Sequence, residues 1–443
     1  MTASVLQIGI ALIAGVGIMI LLAIKFRLHA FFALLIACLV TGLTIQMPLP
    51  EIIATIKDGF GNIMKSLGLI IILGTTLGVL LEHTGCTQVM ANFILKKVGE
   101  RNASIALSIT GFIVGLPVFC DSGYIVLSGL NKSISKRSGV SSVATTVSLA
   151  TGLYAVHCTV PPHPGAAAAA LTINADLGKL ILFGIIVSIP AVIIANIWAK
   201  YTGKKIVFST TEEHELKGLP EKKPSVIVSF LPVIIPILLI AMRSFILVEP
   251  NKSSLFFVLN IAGEPVVALF IGVLLALFSV KKITNDALNN LLKDAVDTAG
   301  SILIIIGAGG AFGAILATAK IGDHFLQITE FGSIGILLPF LITVILKTAQ
   351  GSSTVAIITA ASIVQPLLPA LGLSSENGKL LCVLSMGAGS MMISHANDAY
   401  FWVISRFSGM PVKTMLKVYS TVTILMSITT ITVVYILSLL IHY

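Results

Sequence analysis

An interrupted apolar run constrains this chain most. The run from Ile105 to Leu130 is long enough to cross a bilayer as one helix, at about 1.5 Å per residue. Its middle, Gly115–Tyr124, instead contains a proline and the acidic residue Asp121. A carboxylate at the bilayer centre costs about 2.5–3.5 kcal/mol and is usually functional. Broken backbone is tolerated there only where it lines a protein or water-filled cavity. The stretch therefore predicts a re-entrant hairpin in a transport pathway, with Asp121 at its tip.

The composition predicts an all-α, polytopic membrane protein. Of 443 residues, 56% are hydrophobic and only 11% are charged, whereas soluble domains carry about 25% charged residues. The five cysteines stand in apolar surroundings without metal-type spacing, so we expect buried thiols rather than disulfides or metal ligands. Lys25 and Arg27 follow the first apolar run rather than precede it, which favours a retained helix at Val5–Ala23 over a cleaved signal peptide.

The same order of features occurs twice along the chain. Matching residues recur at a shift of 236 or 237, and they pair Lys57-Asp58 with Lys293-Asp294, Gly74 with Gly310, Gly115 with Gly351, Ser148 with Ser385, and Gly152 with Gly389. The predicted organisation is a first inverted repeat at 1–201, a cytoplasmic linker at 202–224 and a second inverted repeat at 225–443. The hairpins are predicted at about 104–130 and 333–372.

The basic residues predict the orientation. With the Lys25–Arg27 loop in the cytoplasm, most of the 28 Lys and Arg residues fall on the cytoplasmic side of ten spans and two hairpins. Each half then has five spans, so the second half is inverted relative to the first, as in secondary transporters. The amphipathic segment at 51–66 is expected to lie at the interface before a span near 67–82, and a second amphipathic stretch at 283–298 is expected to precede a span near 300–319. The basic excess is thus an orientation signal and does not indicate a nucleic-acid partner.

Four motifs resemble those of the gluconate permease (gluconate:proton symporter, GntP-type) family, over essentially the whole chain. They are His157–Gly165 (HCTVPPHPG), Ile306–Phe312, Gln350–Ala356 and Ser394–Asp398 followed by Phe401-Trp402. The resemblance implies a multi-pass symporter of a bacterial inner membrane that imports a small hydroxy or sugar acid, is coupled to protons and forms a homodimer. Family members often carry Glu near the first hairpin tip, where this chain has Asp121, and one branch carries D-serine. Gluconate, D-serine and glycerate-type substrates therefore stay open.

Two acids are the candidates for proton coupling. Burial favours the protonated form of a carboxyl group, so Asp121, together with Asp398, is predicted to take up the coupled proton. The alternative for Asp121 is a structural acid that caps a half-helix. Sodium is the alternative ion, since backbone carbonyls of a hairpin can hold it.

Hydroxyl, amide and imidazole groups around the breaks are the candidates for substrate binding. Half-helix N-termini at Ser122 and Ser352–Thr354 would receive a carboxylate, although small residues also favour plain helix packing. His157 and Asn397 would face the substrate's hydroxyls or amine, or else hydrogen-bond within packed turns. The predicted substrate-binding residues are Ser122, Gly123, His157, Thr159, His163, Gly351, Ser352, Ser353, Thr354, His395, Asn397 and Asp398.

Other classes of site are less favoured by the residues. Lys347 is expected to extend its ammonium group to the interface, with pairing to a substrate carboxylate as the alternative. No metal site, cofactor or phosphate loop is predicted, so an ion gradient or the substrate gradient drives transport. The rival class is an integral membrane hydrolase or transferase, against which no Gly-x-Ser-x-Gly or His-Glu-x-x-His string is present. The expected partners are the organic acid, a proton or sodium ion, membrane lipid and a second copy of the chain.

Overall fold

A computed structural model describes residues 5–206, 224–246, 254–279, 284–318, 335–395 and 398–441. Within these ranges the chain is helical and contains no strand, as the composition predicts. The helices are α1 Val5–Ile24, α2 Ala30–Thr44, α3 Leu49–His83, α4 Cys86–Val98, α5 Ala103–Gly115, α6 Cys120–Ser138, α7 Ser142–Thr159, α8 Pro164–Thr172, α9 Leu177–Lys205, α10 Val226–Ile246, α11 Ser254–Ala262, α12 Pro265–Phe278, α13 Asn285–Thr318, α14 Leu337–Gln350, α15 Ser353–Val364, α16 Glu376–Ser390, α17 Ala399–Ser408 and α18 Val412–Leu440.

Several of these helices are long and apolar enough to cross a bilayer. By length and composition the described part of the chain has 6 such helices. They are Leu49–His83, Ser142–Thr172, Leu177–Lys205, Val226–Arg243, Asn285–Thr318 and Val412–Leu440. Shorter apolar helices, among them α2, α5, α12, α14 and α15, accompany them. The total of ten spans and two hairpins stays a prediction.

The two amphipathic segments are not separate from the spans that follow them. Residues 51–66 lie in α3, a continuous helix of 35 residues, and residues 285–298 lie in α13, which has 34. No proline or other break separates the polar-faced turns from the apolar ones, so the helices continue. α3 and α13 pack along each other. A Cβ at Gly59 would lie 2.7 Å from the Gly310 carbonyl oxygen, so the glycines permit a very close crossing.

In each of the two predicted hairpin segments a pair of helices flanks a short non-helical stretch, and the re-entrant path of these pairs stays a prediction. α5 and α6 contact each other and are separated by residues 116–119, which include Pro117. α14 ends at Gln350 and is followed by Gly351, whose φ of 81° is in the left-handed region that glycine adopts without strain, and α15 begins at Ser353. We call residues 115–122 the first tip and residues 350–354 the second tip.

Two further helices are broken, one after each hairpin. α7 stops at Thr159 and α8 starts at Pro164, with a cis Pro161-Pro162 bond between them. In the second half α16 stops at Ser390, and α17 starts after Asp398, whose side chain accepts a hydrogen bond from the Tyr400 amide. Prolines in the first case and the aspartate cap in the second explain why the helices restart at these positions.

The second segment of each broken helix packs on the hairpin of the other half. α8 packs on α15, and α17 packs on α6. Two hydrogen bonds of 3.0 Å cross between the halves, one from the Tyr154 hydroxyl to the Ser390 carbonyl and one from the Tyr400 hydroxyl to the Ala150 carbonyl. The four breaks are thereby brought together in the interior.

Contacts at matched positions support the predicted repeat, which stays a prediction. Gly152 of α7 permits close approach to the Ser108 carbonyl of α5, and Gly389 of α16 does so to the Phe340 carbonyl of α14. The matched serines also bond to the hairpin helices or their starts, Ser148 to Ser104 and Ser385 to Ile336. α9 continues to Lys205, past the predicted start of the linker at residue 202, and residues 207–223 lie outside the described part of the chain.

Candidate functional site

A cavity of about 380 Å³ lies where the four breaks meet. This volume is within the range of small-molecule sites. Its walls come from both tips, both broken helices and α13. The lining residues are Phe119, Cys120, Asp121, Ser122, Tyr154, His157, Pro164, Thr298, Ile302, Ile305, Gln350, Ser352, Ser353, Thr354, Val355, Ile358, Asp398, Ala399 and Tyr400.

Four helix N-termini face this cavity. The first residues of α6, α8, α15 and α17, which are Cys120, Pro164, Ser353 and Ala399, all line it. Each helix N-terminus carries about half a positive charge and unpaired backbone N–H groups. Helix N-termini around one space favour an anion and can hydrogen-bond its oxygens, although at α17 the Tyr400 amide is already bonded to Asp398. The local fold therefore builds an anion-binding environment largely from backbone.

Asp121 lies in the first turn of α6 and faces the cavity. Its Oδ1 atom is buried and has no hydrogen-bond partner among the described residues. Leaving a buried carboxylate oxygen unpaired is costly, so this oxygen is suited to holding a proton or a donor group of a ligand.

Lys347 does not extend to the interface, which corrects the expectation from sequence. Its side chain is 0% exposed, and Nζ lies 2.7 Å from Oδ2 of Asp398. The ammonium group also donates to the Gly351 carbonyl and faces the Tyr154 ring at 5.9 Å. An ammonium group this deep is stabilised only by a close opposite charge, and Asp398 supplies it from 51 residues away.

Asp398 has little free hydrogen-bonding capacity. Oδ2 accepts from Lys347 and from the Ser394 hydroxyl at 2.5 Å, and Oδ1 accepts from the Tyr400 amide at 3.0 Å. The acid thus caps α17 and neutralises Lys347 at the cavity wall, whereas Asp121 keeps an open oxygen.

His157 stands between the two tips. Its Nε2 lies 3.4 Å from the Thr354 hydroxyl, while its buried Nδ1 has no partner among the described residues. The ring stacks on Tyr154, with centroids 6.4 Å apart, and contacts the His163 ring edge at 4.9 Å. A histidine in this position can donate to a substrate hydroxyl or carboxylate and can also relay a proton.

The other candidates from sequence fall into two groups. Asp121, Ser122, His157, Ser352, Ser353, Thr354 and Asp398 share the cavity. The remaining described candidates lie outside its lining, and Asn397 lies outside the described residues. His163 donates from Nε2 to the Gly115 carbonyl at 2.5 Å, and Thr159 bonds to Ser188 and to the backbone of α7.

Gly123, Gly351 and His395 contribute through their backbones rather than through side chains in the cavity. Gly123 packs against Leu153, and a Cβ there would lie 2.9 Å from that side chain. Gly351 contributes its carbonyl to Lys347, and His395 contributes its carbonyl to the Asp398 amide at 2.8 Å.

Sequence reasoning missed part of the cavity wall. Tyr154 and Tyr400 stack with centroids 5.7 Å apart, and Gln350 reaches the cavity from the end of α14. Tyr154 precedes His157 by three residues in the same helix, and this spacing could have placed both on the face that lines the cavity. Glu82, near the end of α3, interacts with the Ser122 side chain at the first tip; its position at the end of a predicted span gave no sign of this.

Comparisons with known proteins agree with this architecture. Residues 6–440 match the model of the GntP family permease. A gluconate permease of Pseudomonas aeruginosa is 33% identical over 97% of both chains, and the D-serine transporter DsdX of Escherichia coli O6:H1 is 31% identical over 97% of this chain and 98% of its own. The YdaH transporter of Alcanivorax borkumensis has a similar fold, with a TM-score of 0.65, 14% identity and 88% of each chain covered.

These relatives are permeases and transporters rather than enzymes, which removes the membrane hydrolase or transferase from consideration. The family and the apolar helices together indicate a multi-pass protein of a bacterial inner membrane. The chain belongs to the GntP permease family.

Proposed function

We propose that this chain imports a small hydroxy or sugar acid, such as gluconate, in symport with protons. The observation that carries the proposal is the central cavity, where four helix N-termini surround a carboxylate oxygen that has no partner among the described residues. The helix ends suit an anionic substrate, and the open Asp121 oxygen suits a proton.

The substrate's carboxylate would lie against the second tip and Ser122. The N-terminus of α15 presents the hydroxyls of Ser353 and Thr354, and the Ser352 hydroxyl oxygen accepts a hydrogen bond from the Val355 amide. The substrate's hydroxyl groups would then face His157 and the aromatic wall of Tyr154 and Tyr400, which offers both a polar edge and a stacking face.

Proton coupling is assigned to Asp121 rather than shared with Asp398. Asp398 is neutralised by Lys347 and accepts three hydrogen bonds. Asp121 lines the same cavity without such a counterion contact within 4.0 Å among the described residues. Protonation of Asp121 removes a negative charge beside the bound anion, so proton and substrate favour each other's binding.

The test is uptake of labelled gluconate by proteoliposomes that contain the purified chain. An inside-alkaline pH gradient should drive accumulation above the external concentration, and a proton ionophore should abolish it. A sodium gradient applied alone, at equal pH on both sides, should drive no accumulation of gluconate. Accumulation that responds to sodium and ignores pH would contradict proton coupling, and no accumulation under either gradient would contradict symport.

D-serine is the second candidate because the open Asp121 oxygen can also accept a hydrogen bond from an ammonium group. Competition of unlabelled gluconate, L-idonate, glycerate and D-serine against labelled gluconate ranks the substrates. Stronger competition by D-serine than by gluconate would indicate that D-serine is the substrate. We also propose that the chain forms a homodimer. The molar mass of the detergent-solubilised protein, measured by light scattering, tests this.

A further inference from the structure

A second cavity, of about 230 Å³, lies on the other side of the second tip. It is bounded by the end of α1, by the α1–α2 loop with the start of α2, and by the tip itself. α1 contributes Met19 to its lining, and the loop with the start of α2 contributes Arg27 and Ala30. The tip contributes Gln350, Ser352 and Val355.

The two cavities share one wall. Gln350, Ser352 and Val355 line both of them, so the second tip lies between the central site and the second cavity.

Gln350 is incompletely satisfied at this wall. Its Oε1 is buried without a partner among the described residues, and its Nε2 has only the Met19 sulfur at 3.5 Å. A thioether is a weak acceptor, and buried side-chain amides normally have stronger partners. The unmet hydrogen bonds indicate that a polar ligand or water reaches this position.

Arg27, in the α1–α2 loop, also lines the second cavity. Its side chain is exposed, and no hydrogen bond or ion pair joins it to a described residue. A guanidinium group matches the two oxygens of a carboxylate. Met19 precedes Ile24, the last residue of α1, by only five residues, a rise of about 8 Å. The passage from the tip to the loop is therefore short.

We infer that the second cavity is a passage for the carboxylate substrate between the central site and the α1–α2 side of the membrane. Arg27 binds the carboxylate at the outer end, and Gln350 offers its amide at the boundary with the central site. The basic residues Lys25 and Arg27 predict that this side is cytoplasmic. The cargo's identity rests on the function proposed above, but the anion preference of the passage does not.

Thiol labelling tests the passage without any transport. Ala30 is half-buried and lines the second cavity, whereas the native cysteines are buried. In Ala30→Cys, the anionic reagent sulfonatoethyl methanethiosulfonate should react at least threefold faster than neutral methyl methanethiosulfonate, after normalisation to a free thiol. Adding Arg27→Gln should remove this preference. Lys25→Gln, the matched control on an exposed residue of the same loop outside the lining, should keep it. An unchanged preference with Arg27→Gln would overturn the inference.

Sided transport kinetics provide the second test. For Arg27→Gln we expect the KM for gluconate at the α1–α2 face to rise about tenfold while the KM at the opposite face changes less than twofold. Arg27→Lys should show a smaller rise, and Lys25→Gln should show none. Equal rises at both faces would overturn the passage. If the unaltered chain fails to transport gluconate, the proposed function is wrong, and the labelling result still decides the passage by itself.

Discussion

The two tips share one contact, a side-chain donor to a glycine carbonyl, but they differ in backbone and in electrostatics. Gly115 ends α5 and Gly351 directly follows α14, and the carbonyl of each accepts a hydrogen bond from a side chain. The donor is the His163 ring in the first half and the Lys347 ammonium group in the second. His163 and Asp398 hold the matching position, directly before the second segment of a broken helix.

The difference lies in how each half handles charge. At the second tip a buried cation is matched by a buried anion, which fixes the tip to the start of α17. At the first tip the donor is an imidazole, and the acid, Asp121, keeps an unpaired oxygen towards the cavity. The charges at the second tip pair with each other, whereas at the first tip Asp121 remains available to a ligand.

The largest expected effect comes from removing the cation at the second tip. Lys347→Met leaves Asp398 buried without a counterion, which should lower the free energy of unfolding by about 3–5 kcal/mol. The double variant Lys347→Met/Asp398→Asn should recover more than half of the loss, because Asn still caps α17 without a charge. Thermal unfolding in detergent measures both.

An exposed ion pair is the matched control for Lys347→Met. Lys179 lies the same 2.7 Å from Glu376, but these side chains are 24% and 61% exposed. Lys179→Met should therefore cost less than about 1 kcal/mol. Similar losses for Lys347→Met and Lys179→Met would break the electrostatic comparison of the tips.

The scaffold around the tips should respond equally in the two halves. Gly152→Ala and Gly389→Ala each place a methyl group against a carbonyl of the adjacent hairpin helix, so each should cost about 2 kcal/mol. The matched control is Gly61→Ala in α3, where a Cβ would meet nothing within 4 Å. Losses that differ by more than about 1 kcal/mol between the halves would contradict an equivalent scaffold, as measured by the same unfolding assay.

The donor at the first tip should matter less than the one at the second. His163→Leu removes the hydrogen bond to the Gly115 carbonyl and leaves that oxygen unpaired, at a cost of about 1.5 kcal/mol. His163→Gln can still donate and should lose about half as much. A loss for His163→Leu as large as that for Lys347→Met would show that charge is not what separates the tips.

Asp121→Asn should change the free energy of unfolding least of these variants, but it should affect coupled transport. The variant cannot carry a proton, so uphill gluconate accumulation should fall at least tenfold, about 1.4 kcal/mol, while gluconate exchange without a gradient stays within threefold. Thr298→Val, at another residue of the cavity wall, is the control and should keep accumulation. Full accumulation by Asp121→Asn would place the coupling proton elsewhere.

Local signals predicted the breaks, whereas pairings across the chain were out of reach. Pro117, Pro161-Pro162 and Gly351 disrupt helices by their own backbone chemistry, so three of the four interruptions follow from local sequence signals. Seven of the predicted site residues line the cavity, whereas its Tyr154, Tyr400 and α13 faces were not predicted. Lys347 was misread because its partner is 51 residues away, and no periodicity connects the two. The continuity of α3 was missed because an amphipathic segment and an apolar one look different in composition while sharing one uninterrupted helix.

The exchange of packing partners between the halves restricts how the molecule can move. α8 is fixed to α15 and α17 to α6, and the Tyr154 and Tyr400 hydrogen bonds cross in both directions. Rotation of either sequence half as a rigid body would break these contacts. The paired helices at the tips and the broken helices of the two halves are therefore packed as one interlocked group. We expect any change of access to the cavity to leave these cross-contacts intact.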